Sequence, residues 1–192
     1  INPFGKKLTE DELITLVGDC EVIIAGTESI SDRVMAKAKN LRMISRVGIG
    51  LDSVDLIAAE SRNIAVSYTP DAPAPAVADL TMGLMYSLLR NIHEANIQLH
   101  QGYWDRYFGK RLTNCSIGLI GMGRVGSRIL NNLRALGCKK ILYYDKKVRL
   151  DEGDSGQFKF AEKEEIYKMS DIISLHVPLD MKTKNMITIK EI

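Results

Sequence analysis

The residues best suited to chemistry fall in one stretch. Gly121-Met122-Gly123-Arg124-Val125-Gly126 has the spacing GxGxxG, and Asp145 follows 24 residues after its first glycine. A glycine-rich turn that leads from a strand into a helix offers phosphate its backbone N–H groups and the positive end of the helix dipole. Each glycine has a separate task. Gly121 permits the tight turn, Gly123 lets the backbone approach a pyrophosphate without a Cβ, and Gly126 lets the helix pack close to the strand. An acidic side chain about 20 residues on accepts ribose hydroxyls and repels a 2′-phosphate. The set predicts a dinucleotide site with NAD favoured over NADP, although Lys146 and Lys147 beside Asp145 work against that preference.

Other reactive residues are sparse. Cys20, Cys115 and Cys138 form no CxxC pair and are odd in number, which argues against a disulfide framework or a zinc site. They read as free thiols in a reducing, cytoplasmic compartment. No metal set is expected. The histidines are His93, His100 and His176. His93 and His100 stand seven residues apart, so they share one helix face and read as surface or packing residues.

These groups need elements to hold them. From Thr9 to Tyr68 the apolar pattern alternates helix and strand, opened by the capping box Thr9…Glu12. Strands are expected at 21–25, 43–47 and 64–68. Such alternation implies parallel strands with crossover helices. Residues 69–75 hold three of the five prolines and read as a loop at a domain junction. One long helix is expected over 76–101, then a polar and aromatic strip over 105–114. A second alternation places strands at 116–120, 140–145 and 171–176, with the glycine-rich motif between the first strand and its helix. The acidic stretch 151–156 reads as solvated loop. The fold class is therefore α/β, with two doubly wound parallel-sheet domains, flavodoxin-like and Rossmann. A complete dinucleotide fold has about six strands, so both domains read as incomplete.

With 192 residues, 45% hydrophobic and 26% charged, the chain is long enough for a real core. The net charge of +2 gives no electrostatic case for nucleic acid. No run approaches the ~18 apolar residues of a membrane span. The sequence opens on Ile1 without an initiator Met and closes on Ile192 without a capping signal, so both ends read as cut.

Several ordered motifs together resemble the D-isomer-specific 2-hydroxyacid dehydrogenases, the group that includes D-3-phosphoglycerate dehydrogenase. They are Arg46-Val47-Gly48-Ile49-Gly50-Leu51-Asp52 within residues 41–55, Val77-Ala78-Asp79-Leu80-Thr81, Gly102-Tyr103-Trp104, the glycine-rich strand–turn of 117–126, Tyr144-Asp145, and Leu175-His176-Val177-Pro178-Leu179. The resemblance implies a split substrate domain flanking an inserted NAD domain. Residues 1–75 would be part of the substrate domain, 76–111 a long linker helix and dimerisation arm anchored by Trp104, and 112–192 the first half of the NAD-binding domain. A homodimer through 76–110 and the NAD domain is implied.

By the same resemblance, Arg124 and Val125 would meet the pyrophosphate, His176, Val177 and Pro178 would line the adenosine site, and Thr183 would approach the cofactor. Arg46 with the backbone of Gly48 and Ile49 would hold the carboxylate of a 2-hydroxy or 2-keto acid, a task suited to a guanidinium and N–H donors. The family's Arg, Glu and His for catalysis lie in later segments, so no catalytic residue is assigned within this chain. The implied activity is an NAD-dependent oxidoreductase in the intact protein, with these 192 residues inactive alone. A non-catalytic NAD-binding regulator or corepressor on the same fold is the alternative. Two departures stand out. Ile23-Ile24-Ala25-Gly26-Thr27 has no cation where phosphoglycerate-specific members often carry one, and Asp79 replaces the usual Glu.

Overall fold

A computed structural model describes residues 2–147, Leu150 and residues 156–191. The acidic loop read at 151–156 lies outside these residues except for Gly156. The chain forms two compact units, Ile1–Pro73 and Ala74–Ile192.

The first unit alternates helix and strand: α1 (Glu10–Leu16), β1 (Val22–Ala25), α2 (Asp32–Lys37), β2 (Met43–Arg46), α3 (Leu56–Ser61) and β3 (Ala65–Tyr68). Local chemistry starts each helix. Thr9 and Glu12 close a reciprocal capping box, and the side chains of Ser31 and Asp55 accept from the backbone N–H of Val34 and Ala58. The three strands are parallel in the order β1-β2-β3, with Ala25 paired to Arg46 and Arg46 to Tyr68. The helices pack Leu13, Val34, Met35, Ala58 and Ala59 around Ile23 and Ile44.

The second unit opens with α4 (Ala74–Leu89) and α5 (Ile92–His100), then a short 3-10 turn over Leu112–Asn114. The single helix expected over 76–101 is thus two. Asn91 adopts the left-handed conformation, φ +51°, and its side-chain amide donates to the Phe108 carbonyl at 3.3 Å. Asparagine tolerates that conformation better than most residues, and the apolar repeat runs on past the break without marking it. α4 belongs to the core of the second unit: its Ala78, Met82 and Met85 lie with Ile117, Leu119, Ile129 and Leu133.

After the 3-10 turn come β4 (Ile117–Ile120), α6 (Arg124–Ala135), β5 (Ile141–Tyr144), β6 (Phe158–Phe160), α7 (Lys163–Met169) and β7 (Ile172–Leu175). All four strands are parallel, in the order β6-β5-β4-β7. Where three strands are expected, β6 is a fourth. Its three residues are too few to show a period, and only pairing with β5 makes them a strand. Every residue of β4 is buried, as suits the centre of a parallel sheet covered on both faces. No helix among the described residues is long and apolar enough to cross a membrane.

Candidate cofactor-binding site

The strand order reverses beside β4: the chain runs outward through β5 and β6, then returns to β4's other side as β7. In open α/β sheets ligands bind in the crevice that such a reversal opens at the carboxyl ends of the strands. The glycine-rich turn lies at that end of β4.

Gly121 takes φ +101°, a conformation open to glycine, and its N–H donates to the Tyr144 carbonyl at 2.8 Å. Gly126 sits in the first turn of α6, where a Cβ would collide with the Gly121 carbonyl oxygen. The helix is therefore seated against the turn itself. Gly123 is the N-cap of α6; it makes no side-chain cap hydrogen bond, and a Cβ built on it meets nothing within 4 Å. The cap residue itself thus places no side-chain oxygen on the first N–H groups of α6, and the space beside its Cα is open. Arg124 is exposed in that first turn, and Val125 is half-buried against the core.

Asp145 follows β5 directly. Its carboxylate accepts from the Met122 N–H and from the Lys147 N–H, each at 2.8 Å. The acid is thereby oriented beside the turn, and it also braces the turn. His176 follows β7, and its N–H donates to the Ile120 carbonyl at 2.7 Å. Its Nε2 lies 2.8 Å from the Ser174 hydroxyl, and burial holds its pKa below the ordinary histidine value, favouring the neutral ring. Val177 is half-buried and Pro178 exposed. Thr183 donates its hydroxyl to the Pro178 carbonyl at 2.6 Å and so ties down that segment. Ser174 escaped the sequence reading, although positions i and i+2 of an extended segment face the same way.

These features fit a dinucleotide on three counts. The turn leads into the N-terminus of α6, no Cβ blocks the approach over Gly123, and an oriented carboxylate stands at the end of the next strand.

In the first unit, Arg46 ends β2 and its guanidinium donates to the Val47 carbonyl, while its Nε is buried without a partner among the described residues. Gly48 takes φ +145°. Its N–H already donates to the Thr69 hydroxyl at 2.8 Å, and the Thr69 N–H donates back to the Gly48 carbonyl at 3.2 Å. The Gly48 N–H is thus engaged, whereas exposed Ile49 has an N–H without a partner among the described residues. Thr69 was hidden in a segment read as loop; its place just after β3 is the only sequence signal for it. His93 and His100 both lie on α5, His93 beside Glu94 at 3.4 Å and His100 against the Asn96 carbonyl at 2.9 Å.

Comparison with known proteins gives consistent findings. Residues 82–192 match the family described as D-isomer specific 2-hydroxyacid dehydrogenase, NAD binding domain. The chain is 37% identical over 185 residues to a D-3-phosphoglycerate dehydrogenase of Methanocaldococcus jannaschii, covering 94% of this chain and 35% of that protein. It is 35% identical to a hydroxypyruvate reductase of Thermotoga maritima, covering 95% and 60%. The crystal structure of an Aquifex aeolicus D-lactate dehydrogenase, complexed with NAD and lactic acid, superposes with a TM-score of 0.79 at 26% identity, covering 96% of this chain and 55% of that one. The chain spans about a third to three fifths of the length of these relatives.

Proposed function

This chain belongs to the D-isomer specific 2-hydroxyacid dehydrogenase family and carries its NAD-binding domain, and from that premise we propose that it serves an NAD-dependent exchange of a hydride at C2 of a D-2-hydroxy acid. The observation that carries this reading is the glycine-rich turn at the reversal of strand order, with Asp145 fixed at the neighbouring strand end. When bound, NAD supplies or takes up the two electrons of the reaction.

The chain's own groups bind and orient. The first turn of α6, with Gly123, Arg124 and Val125, takes the pyrophosphate. Asp145 takes the adenosine ribose, while His176, Val177, Pro178 and Thr183 line the adenosine side. Arg46 and the Ile49 N–H hold the substrate carboxylate, and Gly48 with Thr69 shapes the loop that presents them. The buried, unpartnered Nε of Arg46 is a donor available for that task. A non-phosphorylated acid suits the turn after β1, where Glu28 rather than a cation lies against Gly26. Neither His93 nor His100 has the setting of an acid–base group, and His176 serves the cofactor segment, so this portion provides binding groups without proton transfer. The three thiols, none in a disulfide, fit a cytoplasmic setting.

The test is Asp145→Ala, with NADH and NADPH affinity measured by fluorescence titration. NADH binding is expected to weaken by more than NADPH binding, because only NADH loses a ribose diol partner. Equal loss for both would show that Asp145 only braces the turn, and would remove the cofactor assignment.

A further inference from the structure

We propose that the second unit carries an anion site separate from the glycine-rich turn, built to take a small tetrahedral dianion such as phosphate or a phosphate monoester. The site is a pocket of about 300 Å³, at the lower end of the volumes that hold small ligands. Arg90, Lys110 and Arg111 line it, with the hydroxyl-bearing Tyr86 and Thr113 around the buried Leu112. Among the described residues, no Asp or Glu lines it.

The pocket is shaped by the fold. The Lys110 N–H donates to the Leu89 carbonyl at 3.0 Å, and the Asn91 amide donates to the Phe108 carbonyl at 3.3 Å. These bonds stitch the end of α4 to the segment that carries Lys110 and Arg111. Lys110 has a carboxylate partner outside the lining, Asp171 at 3.2 Å. Arg90 and Arg111 have none: neither guanidinium forms an ion pair or hydrogen bond among the described residues.

Two helices end at this pocket, and helix C-termini favour nearby cations. That does not account for the arrangement, since neither guanidinium bonds a terminal carbonyl. Like charges crowded around one concavity repel, and a dianion relieves the repulsion. Guanidinium groups bind phosphate through paired N–H donors, and hydroxyls supply further donors.

The site is distinct from the cofactor turn. Leu136, the C-cap of α6, lies on the pocket wall, whereas Gly123 caps the other end of that helix. At 1.5 Å rise per residue the two ends are about 20 Å apart. The inference does not depend on the proposed activity.

The test is a titration of the ¹⁵N-labelled chain with inorganic phosphate at constant ionic strength, followed by amide chemical shifts. Saturating shifts are expected at Arg90, Arg111 and Thr113, and the apparent affinity should fall about tenfold or more in R90Q/R111Q. Should the double variant lose amide dispersion, R111Q alone carries the comparison, with R111K expected to bind between R111Q and the wild type because it keeps the charge and loses the paired donors. Glycerol 3-phosphate is expected to bind at least as well as phosphate. Any of three results would overturn the site: non-saturating shifts, equal response to succinate, or shifts confined to 121–125. An unchanged response in R111Q would also overturn it. NADH titrated on the same sample reports separately on the glycine-rich turn.

Discussion

Gly126 and Gly123 belong to the same motif but should fail in opposite ways when each is given a methyl group. An alanine inside a helix normally stabilises it by about 0.5–1 kcal/mol over glycine. At position 126 the new Cβ collides with the Gly121 carbonyl oxygen and lies 3.0 Å from its carbon, and both are backbone atoms of a turn that cannot swing away. Overpacking of this kind costs about 1–3 kcal/mol, so Gly126→Ala should destabilise the second unit by about 1–2 kcal/mol net. At position 123 a Cβ meets nothing within 4 Å, and φ is −76°, which alanine adopts readily. Gly123→Ala should therefore leave stability within about 0.5 kcal/mol. It should nevertheless weaken NADH binding by about 10–100-fold, the worth of one charge-assisted hydrogen bond held off by the methyl group. Urea unfolding read by circular dichroism gives the stability arm, and NADH fluorescence gives the binding arm. If Gly123→Ala binds NADH like the wild type, or Gly126→Ala is as stable as Gly123→Ala, the division of labour in the motif is wrong.

Three further outcomes are expected. Lys6 and the Thr9 cap hold the Glu12 carboxyl at about 2, below its ordinary 4.5; its stabilisation is complete above pH 4.5 and lost as pH falls towards 2. The gap in urea midpoint between wild type and Glu12→Gln should therefore be constant near neutrality and close over that acidic window; a gap that persists at about pH 2 would show that charge is not its source. α4 carries exposed Leu80, Leu84 and Leu88 opposite its buried Ala78, Met82 and Met85, and Trp104 is 84% exposed. We expect a second copy of the chain to cover these residues, so Leu84→Gln with Trp104→Ala should shift sedimentation from dimer to monomer, whereas a wild-type monomer at micromolar concentration would defeat that reading. Finally, the 192-residue chain should show no NADH oxidation with pyruvate or hydroxypyruvate; steady turnover by the purified chain would mean that a proton donor lies within it.

Much of the candidate site was legible without coordinates, for a physical reason. The tasks of Gly121, Gly123 and Gly126 depend on backbone conformation and on neighbours within a few residues, so spacing alone reveals them. The same holds for the Thr9–Glu12 box and the alternation of helix and strand, which arise from periods of 3.6 and 2 residues. The family motifs add Arg46 and the His176 segment as expectations. Tertiary structure decided the relations between distant segments. β6 exists because β5 pairs with it, and α4 ends where Asn91 turns left-handed and reaches Phe108. Gly48 spends its N–H on Thr69, 21 residues away, and Asp145 spends its carboxylate on Met122 and Lys147 as well as facing the turn. Arg90 and Arg111 line one pocket only because two loops are stitched together. Above all, the reversal of strand order beside β4 opens the crevice at the glycine-rich turn. Residue types and their periods determine which segments can form strands. The order of those strands across a sheet depends on which faces can be buried together, and that is settled only when the chain is packed.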